Sequence, residues 1–199
     1  MFSVYMYQKS KEDTQIVKAV RSIGSPAIGG PFNLFDTHNR LRTEQDYPGY
    51  RLMYFGFTFC PDICPTELTK MAEAMSAIEK ETGLAAELYP IFVSVDPWRD
   101  SIAQVREYVK EFHPKLVGLT GTPQEIESVC KRFRIYYSKP SAKVRDGIVE
   151  DEFYLMDHSA YMYLMDPNNK CVDYFSQAEP SDIIAQRVIA HIGKKSKWF

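Results

Sequence analysis

The chain has 199 residues, 45% of them apolar, which suits one domain with a sizeable core and excludes a disordered segment for its bulk. Its 24 lysines and arginines stand against 26 aspartates and glutamates, a net charge of −2, so no domain-wide basic field exists to gather nucleic acid. Four cysteines are too few for a disulfide scaffold at this length, and only Cys60 and Cys64 are close neighbours, which leaves the redox compartment open.

Residues 1–7, MFSVYMY, are apolar and run into the charged QKSKED. As a helix this stretch rises about 10 Å against a hydrocarbon core of roughly 30 Å, so it does not span a bilayer by itself. It also lacks the basic start and small-residue cleavage site of a signal peptide. A frayed terminus and the remnant of a membrane anchor both stay open. Residues 22–31, SIGSPAIGGP, read as a loop leading to a first strand near residues 32–35.

Residues 51–59, RLMYFGFTF, form a nearly continuous apolar run of strand length, as a central strand buried on both faces requires. Cys60 and Cys64 follow at its end. Leu68, Met71, Ala72, Met75 and Ile78 then recur at helical spacing, with Gly83 as the stop. Residues 88–95 predict a second buried strand, 101–112 a helix and 116–119 a short strand. Thr122-Pro123-Gln124-Glu125 has the form of a capping box with proline at the first helical position, opening a helix that turns Ile126, Val129, Cys130 and Phe133 inward. Cys130 reads as a buried small hydrophobe. Residues 139–152 are polar and charged and read as a long loop. Residues 160–164 and 171–175 predict a hairpin around a Pro-Asn-Asn turn, with Cys171 opening its second arm, and 181–192 a last helix. This order predicts an α/β fold: a mixed sheet with helices on both faces and the cysteines at a strand-to-helix turn. The closing residues 194–199, KKSKWF, are a basic tail with two aromatics.

Two thiols separated by Pro61, Asp62 and Ile63 are compatible with a disulfide, a redox dithiol or part of a metal site. A bridge across so short a loop adds little stability. Redox dithiols usually have two intervening residues, and the third leaves room for an atom between the sulfurs. A helix N-terminus favours the thiolate that both exchange and metal binding need. Two thiolates underfill most metal sites, so a histidine is the next ligand to seek. His38 and His191 lie in a polar turn and the last helix, His113 ends a helix whose dipole suits an imidazolium, and His158 stands at a strand entrance. Sequence separation alone leaves the place of His158 relative to the cysteines undetermined.

CPDICP after one apolar strand, DPWRD after the next and DHSAYMYL some ninety residues on together resemble the SCO family of copper proteins, with RSIGSPAIGGPFNL, FGFTFCPDICPTEL and YVKEFHPKLVGLTGT in the same order. The spelling is most similar to the mitochondrial members. The resemblance implies a thioredoxin-like domain over residues 21–193, preceded by a segment 1–20 that follows a missing membrane anchor and trailed by the tail 194–199. It implies a copper metallochaperone for the CuA site of cytochrome c oxidase subunit II, at the mitochondrial inner membrane and facing the intermembrane space. Loading by an upstream small copper chaperone is expected, and a homodimer is the assembly to test. By motif position the implied ligands of copper, Cu(I) or Cu(II), are Cys60, Cys64 and His158. Two soft thiolates and an imidazole suit Cu(I), and binding needs them deprotonated. Asp157 or a backbone carbonyl would orient the imidazole through its second nitrogen. Trp98, the extra thiols of Cys130 and Cys171 and the length of the 139–152 loop depart from the family pattern. The alternative reading uses Cys60 and Cys64 as a dithiol controlling the redox state of the CuA cysteines without carrying metal; a peroxide-reducing relative of the same fold is a third.

Overall fold

A computed structural model describes residues 28–82, 88–138, 144–145, 148–149, 154 and 156–193. The N-terminal segment 1–20, Gly83, most of the 139–152 stretch and the tail 194–199 lie outside the described residues. Strands β1 (Leu34–Asp36), β2 (Leu41–Arg42), β3 (Tyr50–Gly56), β4 (Leu88–Ser94), β5 (Val117–Thr120), β8 (Met162–Met165) and β9 (Cys171–Phe175) form one seven-stranded sheet in the order β2-β1-β5-β4-β3-β8-β9. The helices are α1 (Ile63–Thr82), α2 (Ile102–Lys110), α3 (Pro123–Phe133) and α4 (Ser181–Ile192).

The sheet is mixed because its connections differ. Helical crossovers α1 and α2 make β3, β4 and β5 parallel, whereas β8 lies antiparallel to β3 and pairs with β9 through a hairpin. Every residue of β3 is buried, including Arg51, whose guanidinium donates to the carbonyls of Glu44 and Asp166 at 3.1 and 2.5 Å. Burial of both faces follows from helices on either side. Tyr54 reaches Cys64 of α1, and Phe92, its neighbour in the β3–β4 register, packs on Tyr108 of α2 at 5.5 Å between ring centroids. The next residue, Phe55, points the other way and meets Phe133 of α3 at 4.9 Å.

Two expectations need correction. The run at residues 51–59 stops being strand after Gly56, because the Thr58 amide donates to the Asp100 carboxylate at 2.9 Å instead of joining a ladder. The polar stretch 139–152 is not a plain loop: β6 (Val144–Arg145) and β7 (Ile148–Val149) pair antiparallel as a separate small hairpin. Among the described residues, no helix is long and apolar enough to cross a membrane.

Candidate metal centre

The turn after β3 carries the first cysteine and the start of α1 the second. The Cys60 amide donates to the Phe57 carbonyl at 3.2 Å, which closes the turn, and α1 begins at Ile63, so Cys64 lies in its first turn. There the backbone N–H groups have no partner within the helix, and that of Cys64 points at the Cys60 sulfur, 3.5 Å away. Gly56 lets the Cys64 sulfur sit against β3, since a β-carbon at that position would lie 2.7 Å from it.

His158 arrives from the far part of the sequence. Its backbone forms an isolated antiparallel bridge with Tyr137, flanked by a Ser138 amide donating to the Asp157 carbonyl at 2.8 Å and a Ser159 amide donating to the Tyr136 carbonyl at 2.9 Å. It therefore precedes β8 without belonging to it. Nδ1 lies 3.3 Å from the Ser159 carbonyl oxygen, which can only accept, so that nitrogen carries the hydrogen and Nε2 faces the Cys64 sulfur at 3.2 Å. Of the two orienting groups expected from sequence, the backbone carbonyl makes this contact; Asp157 is exposed. Tyr54 and Phe57 hold the ring edge-on, at 6.1 and 5.6 Å between centroids.

The donor atoms of Cys60, Cys64 and His158 all lie within 4.8 Å of one another, the one such group of three among the described residues. The two thiols differ sharply. Hydrogen bonding from Cys64, with help from the Asp62 and Cys64 amides, brings Cys60 down to about 3 against the burial that opposes it. Burial drives Cys64 far up, and the neighbouring Cys60 adds to that. Tyr54 is likewise pushed up by burial and donates its hydroxyl proton to the Cys64 sulfur at 3.6 Å. The surroundings of the two sulfurs thus oppose each other, holding Cys60 toward the thiolate and Cys64 toward the thiol. Two soft sulfur donors and an imidazole whose Nε2 is turned toward them fit copper, Cu(I) above all.

The remaining candidates stand apart. His38 contacts Thr37 and Arg40 in an exposed turn, and His191 pairs with Asp173 at 3.2 Å. His113 lies beyond the end of α2, where its Nδ1 accepts from the Lys115 amide at 3.2 Å and burial lowers its pKa. Cys130 and Cys171 are free thiols, pushed up by burial to about 12 and about 11. Sequence reading missed Tyr54, whose role depends on a contact ten residues on in the chain, and Tyr154, which falls between the 139–152 loop and the strand expected from residue 160.

The family model described as SCO1/SenC matches residues 20–193. Protein SCO1 homolog 1, mitochondrial, of Arabidopsis thaliana is 42% identical over 203 residues, covering 98% of this chain and 58% of its own length. The mitochondrial SCO1 homolog of Homo sapiens is 43% identical over 186 residues, covering 93% of this chain and 60% of its own. The chain therefore spans about three-fifths of the length of these two relatives. Among solved structures, Arabidopsis thaliana ScoI with copper bound shares 45% identity at a TM-score of 0.76, covering 84% of this chain and 99% of that one. Yeast Sco1 with copper bound shares 35% at 0.76, covering 87% and 96%. With the family model matching residues 20–193 and these relatives matching nearly the whole chain, the chain belongs to the SCO1/SenC family.

Proposed function

We propose that this chain is a copper metallochaperone that holds its cargo through Cys60, Cys64 and His158 and delivers it to the CuA site of cytochrome c oxidase subunit II. The observation that carries the reading is the convergence of two sulfurs and an imidazole nitrogen within 4.8 Å. The donor types agree: thiolates and imidazole suit Cu(I), and the same set accepts Cu(II) with an added ligand. Relatives named as mitochondrial, and neighbours solved with copper bound, support the cargo and the compartment. Anchorage in the inner membrane, a domain facing the intermembrane space and loading by a small copper chaperone belong to the same proposal.

An anaerobic Cu(I) titration of the reduced protein tests it. One copper is expected per chain, with binding sharply weakened in Cys60→Ala, Cys64→Ala and His158→Ala; unchanged affinity in all three overturns the reading. Copper should then pass to a reduced subunit II domain.

The unequal thiols favour a second role at the same site. The Cys60 thiolate would attack a disulfide between the CuA cysteines, forming a mixed disulfide and releasing one partner thiolate. Cys64, once deprotonated, would attack the Cys60 sulfur and release the second, leaving Cys60 and Cys64 oxidised and the partner reduced by two electrons. His158→Ala separates the roles: it should abolish tight copper binding and spare the exchange.

A further inference from the structure

Residues 96–100, DPWRD, have no task in copper binding so far, yet their side chains reach both halves of the site. Asp100, 1% exposed, accepts from the Thr58 amide at 2.9 Å and the Thr58 hydroxyl at 2.7 Å, and from the Ser94 hydroxyl at 2.6 Å. Thr58 is two residues before Cys60. Asp96, fully buried, accepts from Arg99 Nε at 2.6 Å and from the Tyr154 hydroxyl at 2.5 Å. Arg99 also donates to the Tyr154 carbonyl at 2.9 Å and lies over the Tyr154 ring at 3.5 Å. Tyr154 is four residues before His158. The same guanidinium lies 5.6 and 5.0 Å from the rings of Phe57 and Phe59, and Phe57, with Tyr54, is one of the two residues whose rings meet the His158 ring.

Burying an ion pair costs several kcal/mol of desolvation per ion, so this cluster is a poor choice if stability were its purpose. What it offers is direction: hydrogen bonds at fixed angles, and a planar guanidinium held between rings. Among the described residues, the backbone ties of the segment from Asp157 to Ser159 run to residues 136–138. Its distance from the cysteine turn is left to side chains.

We propose that residues 96–100 are a positioning splint: Asp100 fixes the cysteine turn through Thr58, Asp96 and Arg99 fix the histidine arm through Tyr154, and together they set the sulfur-to-imidazole spacing that copper meets. The proposal rests on the copper reading above. Arg99, Asp96, Asp100 and Tyr154 are positioning residues and touch no metal.

Arg99→Lys keeps a cation beside Asp96 but loses the planar fork that serves Asp96 and Tyr154 together, and Tyr154→Phe removes only the hydroxyl bond to Asp96. With circular dichroism as the fold control, Arg99→Lys is expected to weaken Cu(I) binding about tenfold or more, the range seen when groups behind a ligand are changed. It should also shift the charge-transfer spectrum of the Cu(II) form. In a His158→Ala background the same substitution should have no further effect, because the spacing it sets no longer matters. Equal losses in both backgrounds, or none in the native one, overturn the splint. In the metal-free protein, the His158 ring-proton resonances, shifted by the Phe57 ring, should move in Arg99→Lys; unmoved resonances count against the splint whether or not copper binds. If native protein takes up no Cu(I), or His158→Ala binds it equally well, it is the copper reading that fails, and the metal-free spectra still decide on the splint. Should Arg99→Lys not fold, Tyr154→Phe carries each comparison.

Discussion

A β-carbon added at Gly56 would lie 2.7 Å from the Cys64 sulfur, 3.0 Å from the Tyr54 ring and 3.3 Å from that of Phe92. The sulfur is the neighbour that must move, and it is the one held by Tyr54 and His158. Gly56→Ala is therefore expected to lower stability by about 1–3 kcal/mol, the usual cost of overpacking, and to weaken Cu(I) binding as well. Denaturant melts and a chelator competition check the two effects. The thiol asymmetry predicts that Cys60 is alkylated by iodoacetamide at pH 5–6 while Cys64 resists, which peptide mapping reads directly. Asp100 gives a pH dependence of folding. Burial raises its carboxyl from 3.8 to about 6 despite the bonds from Ser94 and Thr58, so its protonated form is the one the fold favours. Its stabilising contribution, about 3 kcal/mol, is complete below pH 4 and is lost as the pH rises through about 6. Asp100→Asn should flatten the stability profile between pH 4 and 6, measured by denaturation at each pH.

At the level of elements, local rules carried furthest where one rule decided. The Thr122 hydroxyl accepts from the Glu125 amide at 3.3 Å and Glu125 accepts from the Thr122 amide at 2.7 Å, the capping box that the tetrapeptide spells. Thr122→Ala should cost about 1 kcal/mol in a chemical melt and leave copper affinity unchanged. The last helix falls on the expected residues because Ile184, Val188 and Ile192 recur on one buried face. The turn after β9's partner is equally local: Asp166 Oδ1 accepts the amides of Asn168 and Lys170 at 2.9 Å, and Asn169 takes a φ of 62°. Where long-range contacts decided, composition misled. The apolar run at Phe57 and Phe59 continues the look of β3, but a carboxylate from forty-two residues on takes the Thr58 amide and ends the strand. The polar stretch holding β6 and β7 gave no alternation strong enough to mark strands only two residues long. The cysteine turn could be placed from sequence by its strand and helix. The position of His158 beside it came only through family likeness, since nothing local states that β8 runs antiparallel to β3.

For the molecule as a whole, that antiparallel pairing is decisive. The chain leaves β3 at the cysteine turn and enters β8 from the same end of the sheet, which brings together residues separated by 94 positions. A metal bound to Cys60, Cys64 and His158 would join the two sides of this long excursion, which includes α1, β4, α2, β5 and α3. Binding to the folded state alone raises stability by about 4 kcal/mol at a thousandfold excess over the dissociation constant. Cu(I) should accordingly raise the thermal midpoint, and His158→Ala should remove most of that increment in a calorimetric scan. Hydrogen exchange at residues 156–159 should slow on loading by the same token. The histidine arm would then act as a latch that closes with the cargo and loosens when it leaves, so a receiving protein could distinguish a full donor from a spent one by backbone stiffness at the mouth of the site.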